Sequence, residues 1–118
     1  MTKKEARDYC LSLPGASSDF PFDQVTEVFR LGGKMFALMS TKNEPGRINL
    51  KCDPPLARDL RDRYPAVIPG YHMNKEHWNT VILDGSMTDD MVRGMIDHSY
   101  DLILESLPQR QRDEIRGD

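Results

Sequence analysis

The feature that most constrains this fold is a pair of glycines between two segments of strand-like composition. Gly32-Gly33 separates residues 25–31 from residues 34–41, and both segments are rich in apolar side chains. Two adjacent glycines supply the positive φ angles of a type I′ turn, and the twist of that turn matches the twist of paired strands. The sequence therefore predicts a β-hairpin and, with it, an antiparallel sheet.

The turn also predicts which residues face each other across the hairpin. The expected cross-strand pairs are Leu31 with Lys34, Phe29 with Phe36, and Glu27 with Leu38. The predicted core face carries Phe29, Leu31, Phe36 and Leu38. The predicted opposite face carries Val28, Arg30, Met35, Ala37 and Met39. A slip of one residue would exchange the two faces, so this assignment depends on the turn.

The remaining periodicity predicts a two-layer α+β domain in the order α-β-β-β-α-β-β-α. Helices are expected over 3–13, 56–64 and 88–107, and further strands over 47–52, 66–73 and 80–83. Consecutive hairpins favour an antiparallel sheet of about five strands with helices on one face. Phe20 and Phe22, in the turn-rich segment 16–24, are expected to tuck under the sheet, and 108–118 is expected to be a polar tail. The length of 118 residues suits one domain, spanning 1–118.

Composition excludes several classes of protein. Hydrophobic residues make up 38% of the chain and charged residues 30%, which is typical of a globular domain. The longest apolar runs are far shorter than the roughly 20 residues of a membrane-spanning helix. The first ten residues are charged rather than apolar, so we expect a cytoplasmic protein without membrane contact. Cys10 and Cys52 fall at apolar positions and are expected to be small core residues.

Patterns of catalytic and metal-binding residues are absent from the sequence. No G-x-S-x-G elbow is present, and Gly32-Gly33 precedes a strand, whereas a phosphate-binding glycine loop opens a helix. His72, His77 and His98 have no spacing typical of a metal site. We therefore expect a protein that is not an enzyme and has no cofactor and no metal.

The sheet face without helices is the main candidate for binding. Residues 28–82 carry nine basic and five acidic residues, for a net charge of +4, although the whole chain carries −3. Besides the hairpin residues above, the predicted open face carries Arg47, Asn49 and Lys51. Three interpretations remain open: an ordinary solvated face, a nucleic-acid surface, or a protein-binding or homodimer surface that uses methionines as adaptable contacts.

The segment YHMNKEHW at 71–78 is chemically the richest in the chain. Its notable members are Tyr71, His72, Lys75, His77 and Trp78. In one interpretation the aromatic residues anchor an irregular loop and satisfy backbone groups. In the other, Lys75 and a histidine contact a phosphate or carboxylate, and an aromatic ring contacts bases.

Several stretches of the chain resemble the MmcQ/YjbR-like family. They are LPGASSDFPF at 13–22, EVFRLGGKMFALM at 27–39, NLKCDPPLARDLRDRYPAVIPGYHMNKEHWNTV at 49–81 and IDHSYDLILESLP at 96–108. The resemblance implies an α+β domain similar to secretion-chaperone-like and frataxin-like folds. It also implies a double-wing arrangement suggestive of DNA binding.

This resemblance and the basic middle of the chain together predict a DNA-binding protein. The candidate phosphate contacts are Arg30, Lys34, Lys42, Arg47, Lys51 and Lys75. The alternative is a protein-interaction module or homodimer that uses the face bearing Met35 and Met39.

Overall fold

The computed structural model describes residues 1–71 and 73–117. The helices are α1 (Lys3–Ser12), α2 (Pro54–Arg63), α3 (Asp89–Ser106) and α4 (Gln109–Arg116). The strands are β1 (Ser17–Asp19), β2 (Thr26–Leu31), β3 (Lys34–Ser40), β4 (Gly46–Lys51), β5 (Val67–Pro69) and β6 (Trp78–Leu83).

The strands form one antiparallel sheet in the order β1-β2-β3-β4-β6-β5. The predicted α+β class is confirmed, and the sheet has six strands rather than about five. The additional strand is β1, whose three residues pair with β2 at one edge. The sequence SSD of β1 is polar and too short to show a periodic pattern, so it was predicted as part of a turn-rich segment.

The glycine turn between β2 and β3 is confirmed. Gly32 and Gly33 have φ angles of 58° and 82°, and Leu31 lies opposite Lys34. A Cβ atom on Gly32 would lie 2.8 Å from Leu107 Cδ2. Glycine is therefore favoured at position 32 by the backbone conformation, and a Cβ there would also displace the end of the Leu107 side chain.

A β-bulge in this hairpin changes the predicted register. Arg30 still lies opposite Met35, but Phe29 lies opposite Ala37, because Phe36 is an additional residue in β3. Two consecutive side chains of β3, Phe36 and Ala37, therefore pack toward the helices in the main core. Beyond the bulge, each side chain of β3 therefore lies on the sheet face opposite the predicted one.

The predicted face assignment is consequently wrong for three residues of β3. Ala37 and Met39 belong to the main core, whereas Leu38 lies on the opposite face with Val28. The predicted pair of Glu27 with Leu38 is replaced by Glu27 with Met39. The methionine-bearing face inferred from the sequence therefore keeps Met35 and loses Met39.

All four helices pack against one face of the sheet. Buried residues of α1 and α3 join those of the sheet in the main core, which includes Ala6, Cys10, Ile96 and Ile103. Leu60 of α2 and Ile115 of α4 pack against its margin. α1 begins with a capping box between Thr2 and Glu5, and the Thr88 hydroxyl caps α3.

Two further expectations are corrected. Residues 109–116 of the predicted polar tail form α4, which Gly117 ends in a left-handed conformation. Phe20 and Phe22 do not tuck under the sheet, since their side chains are 47% and 66% exposed.

Cys10 and Cys52 are buried and free, as predicted. Among the helices of the described ranges, none is both long and apolar enough to cross a membrane.

Candidate binding cleft on the helix-free sheet face

The sheet face opposite the helices has a small apolar cluster of its own. Val28, Leu38 and Trp78 are buried there, with Met35 and Met73 packed against them. Trp78 follows the irregular segment 70–77, and Met73 comes from that segment. The tryptophan therefore packs this segment onto the sheet, as expected from the first interpretation of YHMNKEHW.

Beside this cluster lies a cleft of about 820 Å³. Its floor is the sheet, where Leu38, Asn49 and Thr80 lie on neighbouring strands. One wall comes from the segment before β2, and another comes from Tyr71 and Met73. Further lining residues are Met35, Ser40, Asn43 and Arg47, and Met39 borders the cleft although it belongs to the main core. This volume lies in the range typical of ligand-binding clefts.

Two exposed aromatic side chains stand at the margin of the cleft. Phe22 and Tyr71 are each 66% exposed, which is unusual for such large apolar groups. Phe22 is followed by a turn in which the Asp23 carboxylate accepts hydrogen bonds from the backbone N–H groups of Val25 and Thr26, at 2.9 and 2.7 Å. These bonds lower the pKa of Asp23 and fix the local conformation of the segment that carries Phe22.

The floor of the cleft is polar and internally hydrogen-bonded. The Thr80 hydroxyl donates to the side-chain carbonyl of Asn49 and accepts from the backbone N–H of Tyr71 at 3.1 Å. This chain of bonds links β4, β6 and the segment that bears Tyr71. The amide nitrogen of Asn49 and the margin residues Ser40 and Asn43 add polar groups that match the edges of a nucleobase or a peptide bond.

Of the six cations predicted to contact DNA, three have no side-chain partner among the described residues. Arg47 is exposed and lines the cleft. Lys42 is exposed in the turn before β4, and Lys51 is half-buried at the end of β4. Within the ranges 1–71 and 73–117, none of these three side chains has a hydrogen-bond or ion-pair partner. We refer to Lys42, Arg47 and Lys51 as the free cations.

The other three predicted cations are held by neighbouring groups. Arg30 donates to the Asp19 carboxylate at 2.9 Å and to the Gly33 carbonyl at 3.1 Å. Lys34 reaches the end of α3, where its ammonium donates to the Ser106 hydroxyl at 3.1 Å. Lys75 donates to the carbonyl of Gly70 at 3.1 Å. The structure therefore does not bring the six cations together on one surface.

The remaining residues of the YHMNKEHW segment have different locations. His77 is exposed, and its carbonyl accepts from the backbone N–H of Cys52 at 2.8 Å. His72 lies outside the residues that the structure describes. Across the described part of the chain, no three histidine, cysteine or acidic side chains form a group suited to a metal ion.

The sequence missed several components of the cleft. Phe22 was expected to be buried, and Thr80 was interpreted only as the start of a strand. The turn residues around Asp23 are visible in the sequence and signal a fixed loop conformation. No local pattern, however, indicates that this loop and segment 70–77 stand on the same sheet face.

Comparison with known proteins identifies the family of this fold. The YjbR family model matches residues 11–102. The chain belongs to the YjbR family. It is 34% identical to YjbR of Escherichia coli K12 over 112 residues, covering 95% of each chain. It is 35% identical to YbdF of Escherichia coli O157:H7 over 111 residues, covering 94% of this chain and 91% of the relative.

Solved structures of similar chains share the architecture. A crystal structure of the Deinococcus radiodurans protein DR2400 superposes with a TM-score of 0.90 at 36% identity, covering 97% of this chain and 87% of that chain. A protein from Pseudomonas syringae has a TM-score of 0.76 at 31% identity, with 87% and 99% of the two chains covered. Both Escherichia coli relatives are named only as uncharacterized proteins, so function has to be argued from the cleft.

Proposed function

We propose that this YjbR-family chain is a non-catalytic DNA-binding domain that takes an unpaired strand across the cleft on its helix-free face. The observation that carries the proposal is the placement of exposed Phe22, Tyr71 and Arg47 around one cleft. Proteins that bind single strands combine aromatic rings, on which bases stack, with cations that contact the backbone. The polar floor around Asn49 supplies hydrogen-bonding groups between these contacts.

The positions of the cations favour a single strand over a duplex. The tips of the two hairpins are about 20 Å apart, because β3 runs between them at about 3.4 Å per residue. Both tips contact the helix layer: Lys34 bonds to Ser106 of α3, and Lys3 of α1 donates to the carbonyl of Thr41. A double-wing grip on duplex phosphates would need these tips to project from the helix-free face.

Magnitudes indicate that stacking would supply more of the affinity than charge. Each base–aromatic stack contributes about 1–3 kcal/mol. Phosphate contacts by the three free cations would give a salt slope of about −2 for a single strand. The sum is consistent with affinity in the micromolar range or weaker at physiological salt, and the site has too few cations for tight binding by charge alone.

The absence of catalysis is part of the proposal. The Thr80 hydroxyl is bonded to an amide oxygen, which is not a base that would activate it. Both cysteine thiols have raised pKa values, mainly because they are buried, whereas a nucleophilic thiol needs a lowered pKa. The Thr26 hydroxyl donates to the Asp23 carboxylate at 3.2 Å, but backbone N–H groups lower the pKa of Asp23, which makes this carboxylate a weak general base.

Fluorescence anisotropy tests the proposal directly. A labelled oligo-dT and a duplex of equal length are titrated at low salt with the parent protein and with Arg47→Ala and Arg58→Ala. Arg58 is a matched control because it is also exposed but lies on α2, in the helix layer. We expect the parent protein to bind the single strand more tightly than the duplex. Arg47→Ala should weaken single-strand binding, whereas Arg58→Ala should not. Absence of oligo-dT binding at low salt contradicts the proposal.

A protein partner or second copy of the chain is the alternative occupant of this face. The observation in its favour is the apolar margin formed by Met35 and Met73, since methionines suit adaptable interfaces. Because Met35 also lines the cleft, Met35→Glu should weaken oligo-dT binding if the strand lies there. Loss of self-association in sedimentation velocity, with oligo-dT affinity unchanged, would favour the protein interface over the nucleic-acid site.

A further inference from the structure

A second cavity, of about 280 Å³, lies between the helices and the sheet, on the opposite sheet face from the cleft. It is bounded by α2, α3 and the strands β4 and β6. Its helix side is lined by six apolar or aromatic residues: Leu56, Leu60, Tyr64, Met87, Met91 and Met95. We propose that this cavity binds a small, uncharged, mainly apolar molecule such as a bicyclic aromatic compound.

The cavity exists because α2 packs incompletely on the sheet. Ala57 is the only residue of this helix that is buried, and Leu56 remains 38% exposed. Asp53 at the helix start makes no side-chain capping bond. A short helix with apolar side chains on its inner side would normally bury them against the core. Here those side chains instead surround an open volume.

Gly94 of α3 lies where the cavity opens to solvent. This glycine lies in the interior of an 18-residue helix and lines the cavity. A Cβ atom at position 94 would meet nothing within 4 Å, so packing does not require glycine there. Glycine is also among the least favourable residues inside a helix. A large side chain at this position would cover part of the opening, whereas the single methyl group of alanine would leave it accessible.

The lining selects the chemistry of the occupant. Apolar cavities accept aromatic and aliphatic molecules, and a cavity of about 150 Å³ is enough for benzene. The volume here is nearly twice that, which suits two fused rings. Methionine side chains adapt to the shape of an apolar guest. Two polar side chains of the lining are engaged within the protein: Asn79 donates to the Ala57 carbonyl, and His98 accepts from the backbone N–H of Asp53. Lys51 also lines the cavity, and its backbone N–H donates to the Ser99 hydroxyl at 2.9 Å.

Methionine methyl NMR tests this site with an internal control. The protein, labelled at the methionine methyl carbons, is titrated with indole. We expect saturable shifts of Met87, Met91 and Met95, and no shift of Met35 and Met73, which line the cleft on the opposite sheet face. Absence of shifts up to the solubility limit of indole overturns the proposal. Equal, unsaturable shifts of all these methyl groups also overturn it, because they indicate non-specific contact.

Two substitutions at one position separate cavity filling from helix stability. Gly94→Leu should weaken indole binding at least tenfold by occupying the mouth, whereas Gly94→Ala should keep affinity within about threefold of the parent. Circular dichroism confirms that each variant is folded. If Gly94→Leu is folded and binds indole as the parent does, the cavity is not the binding site. Neither outcome depends on whether the cleft binds nucleic acid.

Discussion

Arg7 of α1 holds the buried carboxylate of Glu27 in β2. The Arg7 Nε donates to both carboxylate oxygens, at 2.9 and 3.1 Å, and the Ser18 hydroxyl donates to one of them at 2.7 Å. Glu27 is only 2% exposed. A charge at this depth needs such partners, so the contact links the first helix and the edge strand β1 to the central part of the sheet.

Removal of Arg7 should destabilise the fold. Arg7→Met would leave a buried carboxylate with one donor, which typically costs 3–5 kcal/mol. The Arg7 side chain is 47% exposed, so water can replace part of the lost contact, and we expect a loss of about 2 kcal/mol. Urea unfolding measures it, with Arg58→Met as the control. A loss as small as that of the control would show that the pair adds little.

Ser99 of α3 supplies hydrogen bonds where the ladder between β3 and β4 ends. Its hydroxyl donates to the Phe36 carbonyl at 2.5 Å and accepts from the Lys51 N–H at 2.9 Å. Ser99→Ala would leave both backbone groups without this partner, and it should lower the free energy of unfolding by about 2 kcal/mol. Ser106→Ala, near the exposed helix end, is the control. Equal effects in the two variants would contradict this role.

Stability should fall in alkaline solution. Burial raises the thiol pKa of Cys10 to about 12 and that of Cys52 to about 11. Between pH 9 and 11 the unfolded chain loses these protons while the folded chain keeps them, so stability decreases as pH rises. For Cys10 the expected slope approaches about 1.4 kcal/mol per pH unit. Urea unfolding at pH 8 and pH 10.5 checks the sign, and Cys10→Ala should reduce the slope.

Much of the fold follows from local sequence signals. Gly32-Gly33 predicts the hairpin turn, and the alternation of Ile48, Leu50 and Cys52 with polar residues predicts β4. The bulge at Phe36 is different, because both faces of β3 are apolar and alternation alone does not reveal an additional residue. Its position depends on how Phe36 and Ala37 fill the core beneath the helices. That packing places Ala37 and Met39 in the main core and Leu38 on the helix-free face, which is the reverse of the prediction.

The cleft was less predictable than the fold. Arg47 and Asn49 were correctly placed on the helix-free face by strand alternation. Phe22 and Tyr71 come from irregular segments whose positions depend on contacts with distant strands, such as the bond between the Tyr71 N–H and Thr80. Charge patterning also did not reveal that Arg30 is paired with Asp19. Short-range pattern therefore predicts elements better than it predicts a site assembled from loops.

The aromatic contribution to nucleic-acid binding has a matched pair of variants. Phe22→Ala should weaken oligo-dT binding by about 1–3 kcal/mol, which is the contribution of one stacked base. Phe20→Ala removes a similar exposed ring that does not line the cleft and should leave affinity nearly unchanged. Anisotropy titrations measure both. Similar losses for the two variants would indicate that the cleft has no special role.

Salt dependence separately tests the role of charge. We expect the slope of log affinity against log salt to be about −2 for the parent and smaller in magnitude by about 0.7 for Arg47→Ala. Arg58→Ala should have the parent slope. A parent slope near zero would indicate that phosphate contacts are absent, even if an aromatic variant weakens binding.

The central claim is that the strand lies in the cleft, and amide NMR mapping tests it most directly. Oligo-dT is titrated into ¹⁵N-labelled protein at low salt. We predict shifts concentrated at Phe22, Arg47, Asn49 and Thr80, with the amides of α2 and α3 unaffected. Shifts confined to the hairpin tip at Gly32-Gly33 or to the helix layer, or no shifts at all, would contradict it.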